Sequence, residues 1–377
     1  MSRPTCARID FGALRHNLSV VRNRAPQSRI WAVIKANGYG HGLLPVARAL
    51  SGGVEGFAVS SLEEGLCLRE GGIRTSVMIL EGVFSREEVF QARQAELELV
   101  VHAESVLEHL EAVREITDWP RLWLKIDTGM NRLGFPPSDV QSVYPRLLSL
   151  SREPPGLMTH LAMADRTDNP MTRVQIDRFD EVTRGFPGHR SLANSAAVLN
   201  YPGAAADWIR PGLMLFGVSP LETVSAEALG LEPVMTLATA LMAVKPVKRG
   251  DTVGYGATWQ VRRDGWIGIA AAGYGDGYPY HAPGGTPVRV GERIYPLIGR
   301  VSMDMIAVDL GSEPQPVGTP VVLWGKGLPV EQVARCASTI PYELLCGVAQ
   351  RVRHEWRGSR VSETQDGYAT NRCTLPL

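Results

Sequence analysis

The chain has no surplus charge of either sign: 39 Lys and Arg stand against 39 Asp and Glu. No long-range field therefore draws it to nucleic acid, an anionic membrane or an acidic partner, and a small, locally recognised ligand fits better. Long apolar runs are missing too. No charge-free apolar stretch reaches the ~18 residues needed to span a bilayer. The opening Met1-Ser2-Arg3-Pro4-Thr5-Cys6-Ala7-Arg8-Ile9-Asp10 holds no apolar signal core. Both absences predict a cytoplasmic protein with no membrane partner. Cysteine is scarce, at five residues (Cys6, Cys67, Cys336, Cys346, Cys373) without any Cys-x-x-Cys spacing. An odd, scattered set argues against a disulfide framework and a cysteine metal site, and fits small buried hydrophobes.

Familiar signatures are absent as well. Gly38-x-Gly40-x-Gly42 lacks the third-glycine spacing of a dinucleotide fingerprint, and Gly325-Lys326-Gly327 is not a phosphate-loop lysine followed by Ser or Thr. There is no His-Glu-x-x-His and no Gly-x-Ser-x-Gly, so neither a catalytic metal nor a nucleophile elbow is expected.

What is present is alternation. Up to about residue 230, short apolar runs alternate with longer amphipathic segments, the pattern of strand-helix units around a parallel sheet. Eight strands are expected, at 30–34, 56–59, 76–80, 97–101, 121–126, 156–161, 190–193 and 207–210. Eight units in this length match a (β/α)8 TIM-like barrel, and on pattern alone a doubly wound sheet is the alternative. Ser61-x-x-Glu64 and Ser85-x-x-Glu88 are capping-box spacings. A further helix over 11–24, with Asp10 as its N-cap and Leu14, Leu18 and Val21 on one face, is suited to cover the barrel floor. Beyond Pro233 the texture becomes β-branched runs broken by Gly and Pro, at 252–255, 266–272, 287–290, 294–298, 305–310 and 320–324. The expectation is a barrel over 1–232 followed by a mostly-β C-terminal domain over 233–377.

Catalytic groups in such barrels sit at the C-terminal ends of strands, with phosphate held by the loops after strands 7 and 8. The polar residues fall there. Lys35 ends strand 1, Lys125 and Asp127 end strand 5 with Arg132 close behind, His160 ends strand 6, Asn194 and Ser195 end strand 7, and Arg210 ends strand 8. Each alone has an ordinary structural reading. Together at one rim, buried charges need mutual pairing or an anionic ligand.

Seven blocks, in order, carry more than spacing does. They are Ala32-Val33-Ile34-Lys35-Ala36-Asn37-Gly38-Tyr39-Gly40-His41-Gly42, Lys125-Ile126-Asp127-Thr128-Gly129-Met130-Asn131-Arg132-Leu133-Gly134, Thr159-His160-Leu161-Ala162, Ala193-Asn194-Ser195-Ala196, Arg210-Pro211-Gly212-Leu213-Met214-Leu215-Phe216-Gly217, Val253-Gly254-Tyr255-Gly256-Ala257-Thr258, and Gly299-Arg300-Val301-Ser302-Met303-Asp304-Met305. Through them the chain resembles, nearly end to end, the pyridoxal-phosphate-dependent alanine racemases. The resemblance implies a barrel followed by a β domain, and a head-to-tail homodimer in which each β domain completes the other subunit's site.

Carried over by motif, Lys35 is similar to the lysine that bonds the pyridoxal 5'-phosphate and then serves as one base. Tyr255, acting across the dimer, is the other. Two bases on opposite faces suit racemisation, which removes the α-proton from one side and returns one from the other. A phenol with an ordinary pKa of ~10 is a poor base at neutral pH, so it needs support. The resemblance gives that support to His160, with Arg210 behind it. Arg210 also faces the pyridine nitrogen, which weakens the ring as an electron sink and disfavours side reactions such as transamination.

The same resemblance assigns cofactor binding to Tyr39, Asn194, Ser195, Tyr342, Gly212 and Leu213, and the substrate carboxylate to Arg132 and the backbone at Met303. Lys125 resembles a lysine that is carbamylated in many relatives, a change that lets it orient Arg132. Unmodified, it is a cation beside a cation, so carbamylation or a bound anion is expected. Asp165, Tyr280 and Arg300 fall at substrate-entrance positions. In Tyr274-Gly275-Asp276-Gly277-Tyr278-Pro279-Tyr280 the last position departs from the arginine usual in the family. Neutral variation and altered specificity both account for that departure. The implied function is interconversion of L- and D-alanine, for peptidoglycan supply or alanine catabolism. The alternatives are a broad-specificity amino-acid racemase and a pyridoxal-phosphate binding protein, although proteins of the latter kind lack a second domain.

Overall fold

The computed structural model describes residues 3–113, 119 and 121–358, and Cys373 lies outside that range. Strand β1 (Cys6–Asp10) comes first. Eight parallel strands then follow: β2 (Arg29–Val33), β3 (Gly56–Val59), β4 (Ser76–Ile79), β5 (Glu98–Val101), β6 (Leu122–Lys125), β7 (Gly156–Met158), β8 (Arg190–Asn194) and β9 (Trp208–Arg210). They close on themselves through Arg29 opposite Trp208 and Ile30 opposite Ile209, so the sheet is a barrel and not doubly wound. The apolar runs marked these strands to within a few residues. The main difference is β7, which stops at Met158, although Thr159 N still donates to Ser191 O at 3.2 Å.

Three tryptophans fill the barrel interior. Trp31 stacks on Trp208 at 4.6 Å, and Trp123 meets the two edge-on at 6.2 and 6.3 Å. Indoles of this size fit only because the neighbouring strands present no side chain. A Cβ on Gly56 would lie 2.0 Å from Trp31, and one on Gly156 would lie 2.3 Å from Trp123. The Trp123 indole donates to Glu98 at 2.7 Å, which satisfies a buried carboxyl whose pKa burial pushes up.

Helix α1 (Phe11–Arg24) forms as expected, with Asp10 Oδ1 accepting from Gly12 N at 2.7 Å and Ala13 N at 3.1 Å. Its place differs from the expectation. It does not cover the floor but packs on the barrel's flank, against the helix Leu43–Leu50 and the 3-10 turn Leu213–Phe216. Asn17 ties it there by donating to Leu215 O and Glu232 O. The cause is that β9 is followed by that short turn instead of a full helix, which leaves a flank for α1 to fill. The two capping boxes are also modified. Ser61 and Ser85 cap as expected, but the Glu64 and Glu88 carboxylates reach the N–H groups of Ser60 and Phe84, one residue before each cap.

The remaining sheet has eight strands and includes all six C-terminal strands read from sequence except 252–255, which shortens to Thr252–Val253 in a separate hairpin. Three members were not anticipated, β1 itself, the thirteen-residue Met235–Val247 and the final Arg353–Arg357. Of these β1 lies between the other two, antiparallel to Met235–Val247 and parallel to Arg353–Arg357. Residues 6–10, counted with the barrel in the division at 232, are therefore hydrogen-bonded into the other sheet. The apolar core runs without a break from one part into the other. Among the described residues no helix is long and apolar enough to cross a membrane.

Gly156→Ala should destabilise the protein by about 1–3 kcal/mol, because the added methyl overlaps an indole that has no free volume to retreat into. Urea unfolding measures the loss, and an unchanged midpoint would mean that the Trp123 ring is free to shift.

Candidate active site

The strand β2 ends two residues before Lys35, and the chain then winds the wrong way. Ala36, Asn37, Gly38, Tyr39 and Gly40 have φ of 52°, 55°, 61°, 51° and 77°. This is one turn of left-handed helix, closed by Gly38 N donating to Ile34 O at 2.8 Å and Gly40 N to Ala36 O at 3.0 Å. Such a conformation costs about 1–2 kcal/mol per non-glycine residue. The turn brings the Tyr39 ring onto Phe216, 4.8 Å between centroids, and near Tyr342, 5.9 Å away. Its hydroxyl comes so close to the Gly212 backbone that a Cβ there would stand 2.5 Å from it.

Gly212 is one wall of a cradle of donors. Ser195 opens the short helix Ser195–Asn200, and its hydroxyl accepts from Gly212 N at 2.9 Å and Met214 N at 3.4 Å. Asn194 caps that helix by accepting from Ala197 N, and its amide donates to Leu161 O. Burial, with Tyr342 and Cys346 nearby, raises the Tyr39 pKa, and burial with Asp165 nearby raises that of Tyr342. Both phenols therefore stay protonated at neutral pH and can donate. Two phenols, a serine hydroxyl and strand-end amides, with no carboxylate among them, can hold a phosphate.

Beside the cradle lies Arg210, 5 % exposed. Its guanidinium donates to Ser191 O and Oγ at 2.8 and 2.6 Å, to Thr159 O at 2.5 Å and to Leu192 O at 3.3 Å, and it lies 3.5 Å from His160 Nδ1. These partners are neutral. Burial lowers the Arg210 pKa to about 10, which leaves it charged. Facing a guanidinium, Nδ1 of His160 must act as acceptor, so the ring hydrogen is on Nε2. Burial first, and then Arg210, Lys125, Arg132 and Lys35, pull His160 well below its ordinary value and keep it neutral. Lys125 is held down to about 8 by burial and then by Arg210, Arg132 and Lys35, with Asp127 opposing. Arg132 itself is exposed at the rim. The mouth therefore collects cations, while the carboxylate among them, Asp127, is turned to the backbone N–H groups of Gly129 and Asn131.

Tyr255, Tyr280, Arg300 and Met303 lie elsewhere, in the second domain. Tyr255 is 72 % exposed, on a loop whose glycines rest against Gly299 and Arg300. Arg300 and Tyr280 line a cleft of about 480 Å³ with Trp259 and His281. Among the described residues no hydrogen bond, ion pair or ring contact links these four to the barrel-mouth group. Asp165, by contrast, acts on Tyr342 at the mouth.

Two family models cover the chain: the alanine racemase N-terminal domain matches residues 9–220 and the alanine racemase C-terminal domain matches residues 234–356. The chain belongs to the alanine racemase family. The curated alanine racemase of Nitrosococcus oceani is 51% identical over 348 residues, 91% of this chain and 97% of that protein. That of Shewanella loihica is 49% identical over 349 residues, 92% and 97% of the two chains. Among solved structures, the biosynthetic alanine racemase of Pseudomonas aeruginosa superposes with a TM-score of 0.92 at 44% identity, covering 95% of this chain and 100% of that one. The Bartonella henselae alanine racemase, solved with covalently bound pyridoxal phosphate, shares the fold with a TM-score of 0.86 at 24% identity over 94% of this chain and 100% of that one.

Some supporting residues of this family member escaped the sequence reading. Ser191, which accepts from Arg210, lies inside β8 and looked like ordinary strand. The Met303 loop is fixed by an ion cluster around buried Asp276, which takes Arg3 at 2.7 and 2.8 Å and Arg351 at 2.9 Å. Arg351 also donates to Met303 O at 3.3 Å and pairs with Asp304 at 2.8 Å. These partners come from opposite ends of the chain, and no local spacing reports them.

Lys125 has an ordinary value of 10.5 unfolded and about 8 folded. Between those values the unfolded chain binds more protons, so stability rises with pH, and below them the protonated lysine imposes a constant penalty. Lys125→Met removes both effects. In carbon dioxide-free buffer its urea midpoint should exceed the parent's at about pH 7 and rise less towards about pH 10. Parallel profiles would show that the amine is not desolvated.

Proposed function

We propose that this enzyme interconverts L- and D-alanine with pyridoxal phosphate, using Lys35 and the partner subunit's Tyr255 as bases on opposite faces of the substrate. The observation that carries the reading is the barrel mouth itself: Lys35, Lys125, Arg132 and Arg210 converge there beside a carboxylate-free cradle of donors. Such a mouth demands anions, and a phosphorylated cofactor and an amino-acid carboxylate are two. The names of the relatives support alanine as the substrate.

The residues present fit the cofactor. Tyr39, Tyr342, Ser195, Gly212 and Leu213 would hold its phosphate, and Asn194 shapes that wall by capping the helix behind it. Lys35 would bond it, and Arg210 would face its ring nitrogen. When bound, the group supplies conjugation that acidifies the α-carbon of an attached amino acid. Lys35 Nζ takes or returns the α-proton on one face, and Tyr255 Oη does so on the other. His160, kept neutral with its hydrogen on Nε2, can exchange a hydrogen bond with the Tyr255 oxygen, and Arg210 fixes the His160 tautomer. Arg132 and the backbone at Met303 would orient the substrate carboxylate. Arg210 has no proton to give or take at neutral pH, so it leaves the ring nitrogen unprotonated and the electron sink weak.

Exposure of Tyr255, Tyr280, Met303 and Met305 at 72, 57, 53 and 40 % supports a homodimer in which this apolar patch is covered and each site is completed in trans. Lys125 supports carbamylation. At about 8 its amine is partly neutral, and the free nitrogen can attack carbon dioxide and lose a proton to solvent, turning a cation into an anion beside Arg132. The Pseudomonas aeruginosa relative's description as biosynthetic supports D-alanine supply for the cell wall, an activity that belongs in the cytoplasm. A broader specificity is the second reading, favoured by Tyr280 exposed at the cleft beside Arg300, with Asp165 opposite at the mouth.

Incubation with separate L-amino acids and chiral chromatography should give D-alanine from L-alanine alone; D-lysine or D-arginine at comparable rates would establish the broader enzyme. Tyr255→Phe should lower kcat about 10²–10⁴-fold. Mixing inactive Lys35→Ala with inactive Tyr255→Phe should restore activity towards about a quarter of the parent's, because a heterodimer rebuilds one intact site. No rescue between chains that exchange subunits would sink the shared site. Isotopically labelled bicarbonate should give a carbamate resonance that disappears in Lys125→Ala; its absence from the parent would leave a bound anion as the balancing charge.

A further inference from the structure

The left-handed turn after Lys35 is held from the second domain of its own subunit. His354 Nε2 lies 2.9 Å from Gly40 O, and the Trp356 indole donates to His41 O at 3.1 Å. Because a carbonyl only accepts, His354 is the donor to Gly40 O, while its Nδ1 lies 3.2 Å from Val352 O. Both residues belong to Arg353–Arg357, the last strand of the second sheet. The contact is close: a Cβ on Gly40 would stand 2.0 Å from Leu345 O, and one on Gly42 would stand 3.3 Å from the Trp356 ring.

The turn's other hydrogen bonds lie within the barrel. Buried His41 sets Nδ1 against Tyr39 O at 2.8 Å and Gly38 O at 3.1 Å. Glu64 accepts Asn37 N at 3.2 Å and Ser60 N at 3.0 Å, and Asn37 Oδ1 accepts Leu43 N at 2.9 Å. These local bonds shape the segment, but they do not engage the carbonyls of Gly40 and His41, through which the turn meets the rest of the molecule.

We propose that His354 and Trp356 are positioning residues for Lys35: by holding the Gly40 and His41 carbonyls, they keep the left-handed turn wound and the lysine aimed at the cradle. The inference rests on the reading of Lys35 as the cofactor lysine. It gives the β domain a further duty in cis, beside the Tyr342 it sets in the cradle and the base it lends in trans. The clamp strand pairs with β1, and β1 with Met235–Val247, so a single sheet joins the clamp to the domain that bears Tyr255.

The test uses the full-length protein with pyridoxal phosphate, and the variants His354→Ala, His354→Gln and Trp356→Phe. Gln can still donate to Gly40 O, and Phe keeps an aromatic ring while deleting the indole N–H. Three readouts are taken: hydrogen exchange of the amides at residues 37–42, the rate of covalent attachment at Lys35 after the cofactor is stripped and restored, and kcat against KM. Losing one such bond should speed exchange in this segment and slow attachment by about fivefold to tenfold in His354→Ala and Trp356→Phe. His354→Gln should restore both, kcat should fall more than KM rises, and exchange in the sheet Met235–Val247 should not change. Unchanged exchange and attachment in both variants would overturn the proposal, as would equal loosening of the whole second sheet. A parent protein that never attaches pyridoxal phosphate would instead overturn the reading of Lys35, and the exchange data would still decide the clamp.

Discussion

A buried arginine with no carboxylate partner is the constraint around which the barrel mouth is built. Arg210 is charged and almost fully enclosed, and its charge is met by the carbonyls of Thr159, Ser191 and Leu192. An isolated cation in such a place is costly unless its donors are satisfied. Thr159, just past β7, and Ser191 and Leu192 within β8 supply the acceptors, and this gives the serine within β8 its work. Burial, and after it the charge of Arg210, keeps His160 neutral and brings Lys125 towards neutrality, and burial keeps the phenols near the rim protonated. One low-dielectric environment thus leaves neutral donors beside cations, a combination suited to anions such as phosphate and carboxylate.

The second constraint is conformational. Lys35 is followed by a turn whose handedness L-residues resist, and two of its five residues are glycine. The remaining cost has to be met by contacts, and they come from three directions: His41 within the turn, Glu64 from the next strand's helix, and His354 with Trp356 from the far end of the chain. The two domains are therefore mechanically one around the lysine, consistent with a core that runs through both. A barrel of this kind without its second domain would lose the outer supports of the turn as well as Tyr342.

How much of this could be read from sequence depended on whether the signal was local. Apolar runs bounded by turns gave the barrel strands nearly to the residue, and their polar ends gave Lys35, Lys125, His160, Ser195 and Arg210 as one rim. Strands 6–10 and 353–357 were missed because each is short, half polar, and stabilised by partners more than two hundred residues away, so no period within either segment reports its pairing. The same distance hid Arg3, Asp276 and Arg351 behind Met303, and His354 behind Gly40. Ser61-x-x-Glu64 shows a subtler limit. The spacing announced a helix start correctly, yet the carboxylate serves Ser60 and Asn37 instead of its own cap, and so belongs to the site as much as to the helix.

Tyr255 stands apart from these cases, since neither local spacing nor the fold of one subunit gives it work to do. In a single chain it is an exposed tyrosine on a loop of glycines with positive φ, at 77° for Gly254 and 71° for Gly256. Glycines at these positions let the loop turn sharply enough to hold an aromatic ring out from the sheet. A large aromatic so presented, beside Met303 and Met305 and the cleft at Tyr280 and Arg300, is an incomplete surface. On the proposed two-base reading, the barrel mouth would be incomplete in the opposite sense, with Lys35 on one face of the ligand and an open side on the other. Two copies related head to tail would satisfy both deficits at once, and the homodimer proposed above would follow from two-sided proton transfer, because one barrel mouth carries its own lysine on only one face.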